Sequence, residues 1–488
     1  MFEDGKLWIA QSGEKKVYLY PAMANRHGLI TGASGTGKTV TLRVLAEGFS
    51  AAGVPVLLTD IKGDMGRIGE PGDASKMGPR AQKFGMEYVP EGFPARFWDV
   101  FGENGTPVRA TVEDMGAPLV SRLLGLSEVQ ADIVTIAFSI ARDRKWKLVT
   151  LRDLRELLGY MGDHRAELAD EYGTMSKQSV GAVQRSLRAL DEQGGSALFG
   201  QPAMELKDWM RCADDGRGYI NVLNSQKLSA SPDLYATFMI WLMDKLYKEM
   251  PEAGDAGKPK MVFFIDEAHM LFADAPKALT DTVTQTVKLI RSRGIGIYFV
   301  TQSPSDIPDS VLAQLSNRVQ HALRAYTPAE QKSVKAAASA FRPNPAFDTE
   351  EVITQLGVGE ALVSCLDASG TPQVVERAFI LPPQSMLGAQ TPEGYEKAIS
   401  ESPYEEKYRE AEDGETAEDK VGEIEAAEKE EKEKEEAEKA KAKEKKEKSK
   451  KSSKKSNDIG KRAVGNAVSS FASSVGRFAA KSLFGKKK

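Results

Sequence analysis

Residues 30–41 read ITGASGTGKTVT and hold Gly32, Gly37, Lys38 and Thr39 in the spacing G-x-x-x-x-G-K-[ST]. That spacing describes a loop built around the phosphates of a nucleotide. Glycines at 32, 35 and 37 allow a tight turn with inward-facing N–H groups, and such groups at the start of a helix attract anionic oxygens. Lys38 is placed to reach the β- and γ-phosphates, and the Thr39 hydroxyl is a ligand for Mg²⁺. The candidate nucleotide-binding set is Gly32, Ala33, Ser34, Gly35, Thr36, Gly37, Lys38, Thr39 and Val40, with ATP and Mg²⁺ as the expected ligands.

A second constellation is MVFFIDEAH at residues 261–269. An apolar strand that ends in Asp266 and Glu267 delivers both carboxylates to the carboxyl edge of a parallel sheet, where such sheets bind ligands. Asp266 suits the Mg²⁺ shell, directly or through water, because Mg²⁺ keeps hard oxygen ligands and several waters. Glu267 can then orient and deprotonate an attacking water. A third apolar run, Ile297–Val300, leads to Gln302, whose amide can contact the γ-phosphate or that water. Before it, TVTQTVKLIRSRG places Val283, Val287 and Ile290 on one helical face and ends with Arg291 and Arg293. Arginines there either complement the helix dipole or stabilise charge on a neighbouring subunit's phosphate.

The elements around these residues must be strands and helices in alternation. HGLIT reads as a short strand before the loop. VTLRVLAEGFSAAG follows as a helix stopped by Gly53, and VPVLLTD as a buried strand ending in Asp60. The fold class is α/β, with a mainly parallel sheet flanked by helices. A long segment, about 65–215, reads as a largely helical insertion: Ser127 and Gln130 make a capping box before Val129, Ile133, Ile136 and Ile140, and Thr150 caps LRDLRELLGYM. Within it ARDRKWKL mixes basic residues with Trp146, a pattern that can bind nucleic acid but is more often a solvated loop.

The chain has 488 residues, 41% hydrophobic and 28% charged, enough for a large core. Its net charge of −4 excludes a wholly basic nucleic-acid binder, so any basic patch is local. Cys212 and Cys365 cannot build a disulfide framework and suit a reducing, cytoplasmic location. ATFMIWLM (236–243) is too short to span a membrane and reads as a buried helix. Charge separates near the end: residues 405–440 hold 17 acids and 7 Lys/Arg, whereas 441–488 hold 3 and 16, so this part reads as solvated rather than core. The expected division is a domain over 1–390, a charged linker over 391–457, and a basic amphipathic helix over 458–488. That helix, with Val464, Val468, Phe471, Val475 and Phe478 on one face, suits an anionic membrane surface, pairing with copies of itself, a protein partner or the protein's own body.

Taken in order, GASGTGKT, FFIDEAH and VTQSP resemble the HerA/FtsK superfamily of ring-forming ATPases. The stretches MANRHGLITGASGTGKTVTLRVLAE, VPVLLTDIKGD, GYINVLNSQKL and LGVGEALVS make the chain similar to its HerA-like C-terminal family, over roughly residues 7–385. The resemblance implies a RecA-like sheet closed into a homo-hexamer. It implies Glu267 as catalytic base, Gln302 as sensor, Arg291 as a finger inserted into the next subunit, and Arg318 as a second basic position. It also implies ATP hydrolysis that moves or remodels DNA. The insertion depart from the pattern, and the N-terminal hairpin KLWIAQSGEKKVYLYP is far shorter than the β-barrel of HerA helicases. An ATP-gated oligomeric scaffold without translocation is the alternative. A P-loop kinase fits less well, because a carboxylate pair suits water activation.

Overall fold

Apolar runs of four to seven residues become the central strands of one 13-stranded sheet in the computed structural model, which describes residues 1–254, 257–273, 277–412 and 414–455. The N-terminal strands are β1 (Phe2–Glu3), β2 (Lys6–Ser12), β3 (Lys15–Leu19) and β4 (Gly28–Thr31). Next come β5 (Val56–Asp60), β6 (Ala95–Asp99), β7 (Thr106–Pro107), β8 (Ile220–Asn224) and β9 (Met261–Ile265). The last are β10 (Ile295–Thr301), β11 (Asn317–Gln320), β12 (Glu360–Ser364) and β13 (Glu376–Ile380). The spatial order is β1-β2-β13-β12-β11-β4-β10-β9-β5-β8-β6-β7, with β3 paired to β2. From β11 to β7 every pairing is parallel; β12, β13 and the N-terminal strands add an antiparallel flank.

Parallel strands of this kind are covered on both faces, which is why β5, β9 and β10 are apolar without alternation and buried throughout. On one face Ile30, Leu58, Phe264, Tyr298 and Val300 meet helix α1 (Lys38–Ala51). Phe49 of α1 lies edge-on to Tyr298 at 6.0 Å, and Phe264 lies 5.1 Å from the same ring. On the other face lie helices Pro232–Glu249 and Lys277–Ile290, where Phe238, Trp241, Val283, Val287 and Ile290 are buried. Burial on the order of 2 kcal/mol for each such side chain makes this sheet the rigid frame of the site.

The segment about 65–215 is not wholly helical. Its helices are joined by β6 and β7, which extend the parallel sheet beyond β8. Both capping boxes form: Ser127 N–H donates to Gln130 Oε1 at 3.0 Å, and Thr150 N–H to Asp153 Oδ2 at 2.7 Å. Ile133 and Ile140 are buried, whereas Val129 is 64% exposed, because the helix turns its first residues to solvent. Arg144 and Trp146 are spent on each other and on Tyr160, leaving Arg142, Lys145 and Lys147 exposed.

The compact body also runs further than residue 390, to Val421. Aromatic anchors in the charged stretch account for this. Tyr404 and Tyr408 stack around Trp98 of β6 at 5.4 and 5.8 Å, and Tyr395 packs edge-on to Phe97 at 5.5 Å. Tyr408 and Lys407 both donate to Asp208, each at 2.7 Å. A second unit, Gly422–Lys488, is described as helix to Lys455, mostly exposed and carrying Glu-to-Lys pairs such as Glu435–Lys439 at 2.9 Å. The expected amphipathic helix at 458–488 lies outside the described residues. Among the described residues no helix is long and apolar enough to cross a membrane.

Helix α1 buries two charges, Arg43 and Glu47, with no exposed surface. Glu47 accepts from the Gln384 N–H (2.8 Å), the Ser385 N–H (3.1 Å) and the Ser385 hydroxyl. Arg43 donates to Ser385 Oγ (3.0 Å), Met386 O (2.6 Å) and Asp64 O (2.6 Å). The chain leaving β13 is thereby fastened to the helix that follows the phosphate loop. Burial pushes the Glu47 carboxyl above its usual range, against these donors. Glu47→Ala should cost about 3–5 kcal/mol, since it strands buried donors, and Glu47→Gln, which keeps an acceptor, should cost less. Urea denaturation followed by circular dichroism measures both; a loss below about 1 kcal/mol in the alanine variant would mean that the clamp adds little.

Candidate functional site

The loop between β4 and α1 takes its shape from glycines that no other residue could replace. Gly32 has φ 153°, and a Cβ there would sit 2.5 Å from the His321 Cβ. Gly37 has φ 119° at the start of α1. Thr36 donates to Ala33 O at 2.7 Å, and the Ala33 N–H bonds Ala322 O at 2.8 Å. Lys38 is buried and donates to Gly32 O (2.6 Å) and Ala33 O (3.2 Å), so its ammonium lies inside the loop. Burial, then the nearby Lys62, pull its pKa below the ordinary lysine value. Ser34, Gly35, Gly37, Lys38, Thr39, Val40, Lys62, Asp266 and Val358 line a cavity of about 280 Å³. Gly32, Ala33 and Thr36 build the loop from behind and do not line it.

His321 braces this loop. It follows β11, is fully buried, and its N–H bonds Thr31 O at 2.7 Å. Its Nδ1 lies 2.9 Å from Glu360 O, which can only accept, so Nδ1 carries the proton and Nε2 accepts from the Thr41 hydroxyl at 2.7 Å. A second brace is the Gly359 N–H, which bonds Thr36 O at 2.9 Å. The loop Leu356–Gly359 that supplies it rests on a separate small core of Val334, Ala337, Phe341, Val352, Ile353 and Leu362.

The carboxylates stand on the neighbouring strands. β10 lies between β4 and β9, and β5 lies beyond β9. Asp266 follows β9; its N–H bonds Thr59 Oγ1 of β5 at 2.9 Å, and its carbonyl accepts from Tyr235 at 3.2 Å. Burial, then Glu267, push the Asp266 carboxyl up to about 7. Glu267 is nearly buried, with φ 45° and ψ 47°, a left-handed backbone that costs a non-glycine residue roughly 1–2 kcal/mol. Asp266 Oδ1 accepts the Glu267 N–H at 2.9 Å and helps to hold it there. Glu267 Oε1 is ion-paired with Lys62, and Oε2 faces His269 Nδ1 at 3.3 Å. Thr39 Oγ1 donates to Asp64 Oδ2 at 3.2 Å. Thr39 and Asp266 thus share one cavity wall and offer hard oxygens, a donor set that fits Mg²⁺ completed by water and phosphate.

Gln302 and Arg291 stand at opposite ends of β10. Thr301 is in register with Thr31, so Gln302 is level with the start of the phosphate loop, exposed and outside the cavity wall. Arg291 precedes β10 at the amino edge of the sheet and is exposed, and Arg293 there packs over Tyr247 at 5.2 Å. The seven residues of β10 separate Arg291 from its own nucleotide cavity by about 20 Å. Arg318 donates to Leu312 O and Leu315 O, both at 3.0 Å, so its guanidinium ties down the preceding turn. Lys62, Asp64, His321 and Val358 did not emerge from the motifs. For Lys62 and Asp64 the signal was the KGD turn directly after a buried strand; for the other two the sequence gives none.

The buried histidines set the acid limit of this fold. Burial pulls both His321 and His27 down to about 4. Each binds its proton more weakly folded than unfolded. The stability they supply is therefore complete above about pH 6.5 and lost as pH falls toward 4, by up to about 3 kcal/mol for each. Urea midpoints should drop steeply between pH 6.5 and 4, and His321→Gln should flatten part of that drop. Midpoints independent of pH across the window would show that neither imidazole resists protonation.

Glu267→Gln should still bind nucleotide and slow hydrolysis by about 10²–10⁴, the usual range for losing a general base. Calorimetry and phosphate release read the two effects separately, and a variant that fails to bind nucleotide would make Glu267 a structural residue.

No curated protein matches the sequence. Among solved structures, the bacterial conjugative coupling protein TrwBdeltaN70 is similar with a TM-score of 0.50 and 15% identity, covering 79% of this chain and 91% of that one. The plasmid coupling protein TrwB with a non-hydrolysable GTP analogue gives 0.50 and 14%, covering 77% and 90%. VirB4 of Thermoanaerobacter pseudethanolicus gives 0.50 and 15%, covering 77% and 97%. At these identities the likeness is one of fold, a RecA-like P-loop sheet flanked by helices. Family matching reaches further, because the model of the helicase HerA-like C-terminal family covers residues 6–486, and the chain belongs to that family.

Proposed function

We propose that the protein is an ATP-hydrolysing motor of the HerA/FtsK type that works as a homo-oligomeric ring, with six subunits as the expected number, and moves or remodels DNA. The observation that carries this reading is the cavity shared by Lys38, Thr39 and Asp266, with Glu267 one residue beyond. Lys38 and the loop N–H groups bind the β- and γ-phosphates, and Thr39 and Asp266 would hold Mg²⁺, which supplies charge neutralisation there. Glu267 orients a water and takes its proton. Gln302, level with the loop, contacts the terminal phosphate or that water. Phosphoryl transfer asks for positioning and charge more than for covalent chemistry, and this set provides both.

The ring rests on Arg291. Some 20 Å of strand keeps it from its own nucleotide, so a role in hydrolysis requires a neighbour's site. DNA as the moved polymer is supported by the family's helicase description. The alternative, an ATP-gated scaffold, shares every residue of the site and differs only in having no DNA dependence.

One experiment tests both parts. Arg291→Ala and Glu267→Gln should each lose turnover, Arg291→Ala by roughly 10³ or more if it acts as a finger, while both still bind ATP. Mixed in one oligomer, they should recover part of the activity, since some interfaces pair an intact Glu267 with an intact Arg291. No recovery in verified mixed oligomers would rule out the shared site. Wild-type turnover is then measured with duplex DNA at rising salt. Stimulation that fades with a log–log slope near −0.9 for each phosphate contact supports the motor, and indifference to DNA at low salt supports the scaffold.

A further inference from the structure

Lys62 occupies a position that the mechanism above does not use. It stands in the turn after β5, lines the nucleotide cavity together with Lys38 and Asp266, and is ion-paired with Glu267. We propose that Lys62 is a second cation for the terminal phosphate of ATP, and that it reaches that phosphate by letting go of Glu267. The inference rests on Glu267 being the base. In the structure Lys62 engages the carboxylate that must receive the proton. With a triphosphate in the cavity, Lys62 transfers to the γ-phosphate and leaves Glu267 Oε1 open to water.

Three features of the turn support this exchange. Its backbone is fixed: Asp60 accepts the N–H groups of Gly63 (2.7 Å) and Met65 (3.0 Å), and Arg43 donates to Asp64 O at 2.6 Å. Gly63 has φ 79°, a left-handed backbone that favours glycine and sets the course of the turn. By contrast, the Lys62 side chain is half exposed, at 47%, and can swing on its own bonds without opening the core. Motion is therefore confined to the side chain.

Charge gives the direction. Lys38 and Lys62 are two cations on one cavity wall, and Lys38 has only the neutral carbonyls of Gly32 and Ala33 as hydrogen-bond acceptors. An anion between them relieves their repulsion. A terminal phosphate carries more negative charge than a carboxylate and presents three oxygens, so it competes well for an ammonium. ADP lacks that phosphate and leaves the Lys62–Glu267 pair in place. Lys62 thus distinguishes triphosphate from diphosphate and couples the distinction to the freedom of the base.

Binding to the full chain with Mg²⁺ tests this, using AMP-PNP and ADP as probes in calorimetry. Lys62→Met should weaken AMP-PNP about tenfold or more and leave ADP within about twofold. Glu267→Gln removes the competitor and should tighten AMP-PNP severalfold, with ADP unchanged. In the double variant that gain should vanish, because both substitutions act on one exchange. Lys62→Arg keeps the cation and should retain the preference for AMP-PNP, which guards against a folding defect in the methionine variant. Equal weakening of both nucleotides by Lys62→Met, or an unchanged ratio, would overturn the proposal and leave Lys62 as a tie for Glu267. Failure of the wild type to bind either nucleotide would instead remove the nucleotide site itself, and the role of Lys62 with it.

Discussion

A buried ammonium has to be met by oxygen, and in this protein the loop that meets it is the loop that would meet a phosphate. Lys38 is almost fully buried and donates to Gly32 O and Ala33 O. Carbonyl dipoles compensate a full charge only in part, which is why burial depresses its pKa. Across the same cavity, Asp266 is pushed up to about 7 by its own burial and by Glu267. Lys38 and Asp266, each poorly solvated, thus line one cavity, and the surrounding fold holds the carboxylates in place. Thr59 holds the Asp266 N–H, Tyr235 holds its carbonyl, and Glu267 is kept in a left-handed backbone that directs its carboxylate to Lys62 and His269.

The sheet does this because its strands are buried on both faces and cannot slip. A one-residue slip of β9 against β10 would exchange Phe264 for Phe263 beside Phe49 and Tyr298, and would carry Asp266 off the edge. Register is therefore enforced by aromatic packing some distance from the carboxylates themselves. The same packing makes β10 a stiff spacer between Gln302 at one edge of the sheet and Arg291 at the other.

How much of this was legible in the sequence follows from the range of the interactions. The phosphate loop, the two carboxylates and the strands beneath them are local patterns, and they were readable because spacing of a few residues determines them. The Ser127–Gln130 capping box and the Thr150 cap are readable for the same reason. His321 was not, since its partners Thr41 and Glu360 are 280 and 39 residues away. Ser385 was not, since it meets Glu47 across 338 residues. Composition sets the expected domain end near 390, whereas the compact unit runs to Val421. The stretch after 391 is rich in Glu and Lys, yet three tyrosines, at 395, 404 and 408, bury themselves against Phe97 and Trp98. A few aromatic anchors outweigh many solvated charges, because each charge costs little to leave in water and each ring gains much by leaving it. β6 and β7 lie hidden among helices: long-range pairing with β8 makes β6 a strand, and β7 in turn pairs with β6.

These long-range ties also decide what the phosphate loop can do when its contents change. The loop is joined to α1 by the chain, to β11 by the Ala33–Ala322 and Thr31–His321 bonds, and to the start of β12 by the Gly359–Thr36 bond. His321 adds side-chain bonds to Thr41 of α1 and to Glu360 of β12. A shift of Thr36 cannot leave Gly359 in place without breaking a hydrogen bond that no neighbour replaces. Gly359 in turn is held by Arg80, which donates to its carbonyl at 3.2 Å and to Ile380 O at 2.8 Å. The loop is thus tied both to β11 and to the antiparallel flank of the sheet with the small core beneath Leu356–Gly359. Val358, 74% exposed beside the cavity, is the residue of that flank that meets whatever the cavity holds.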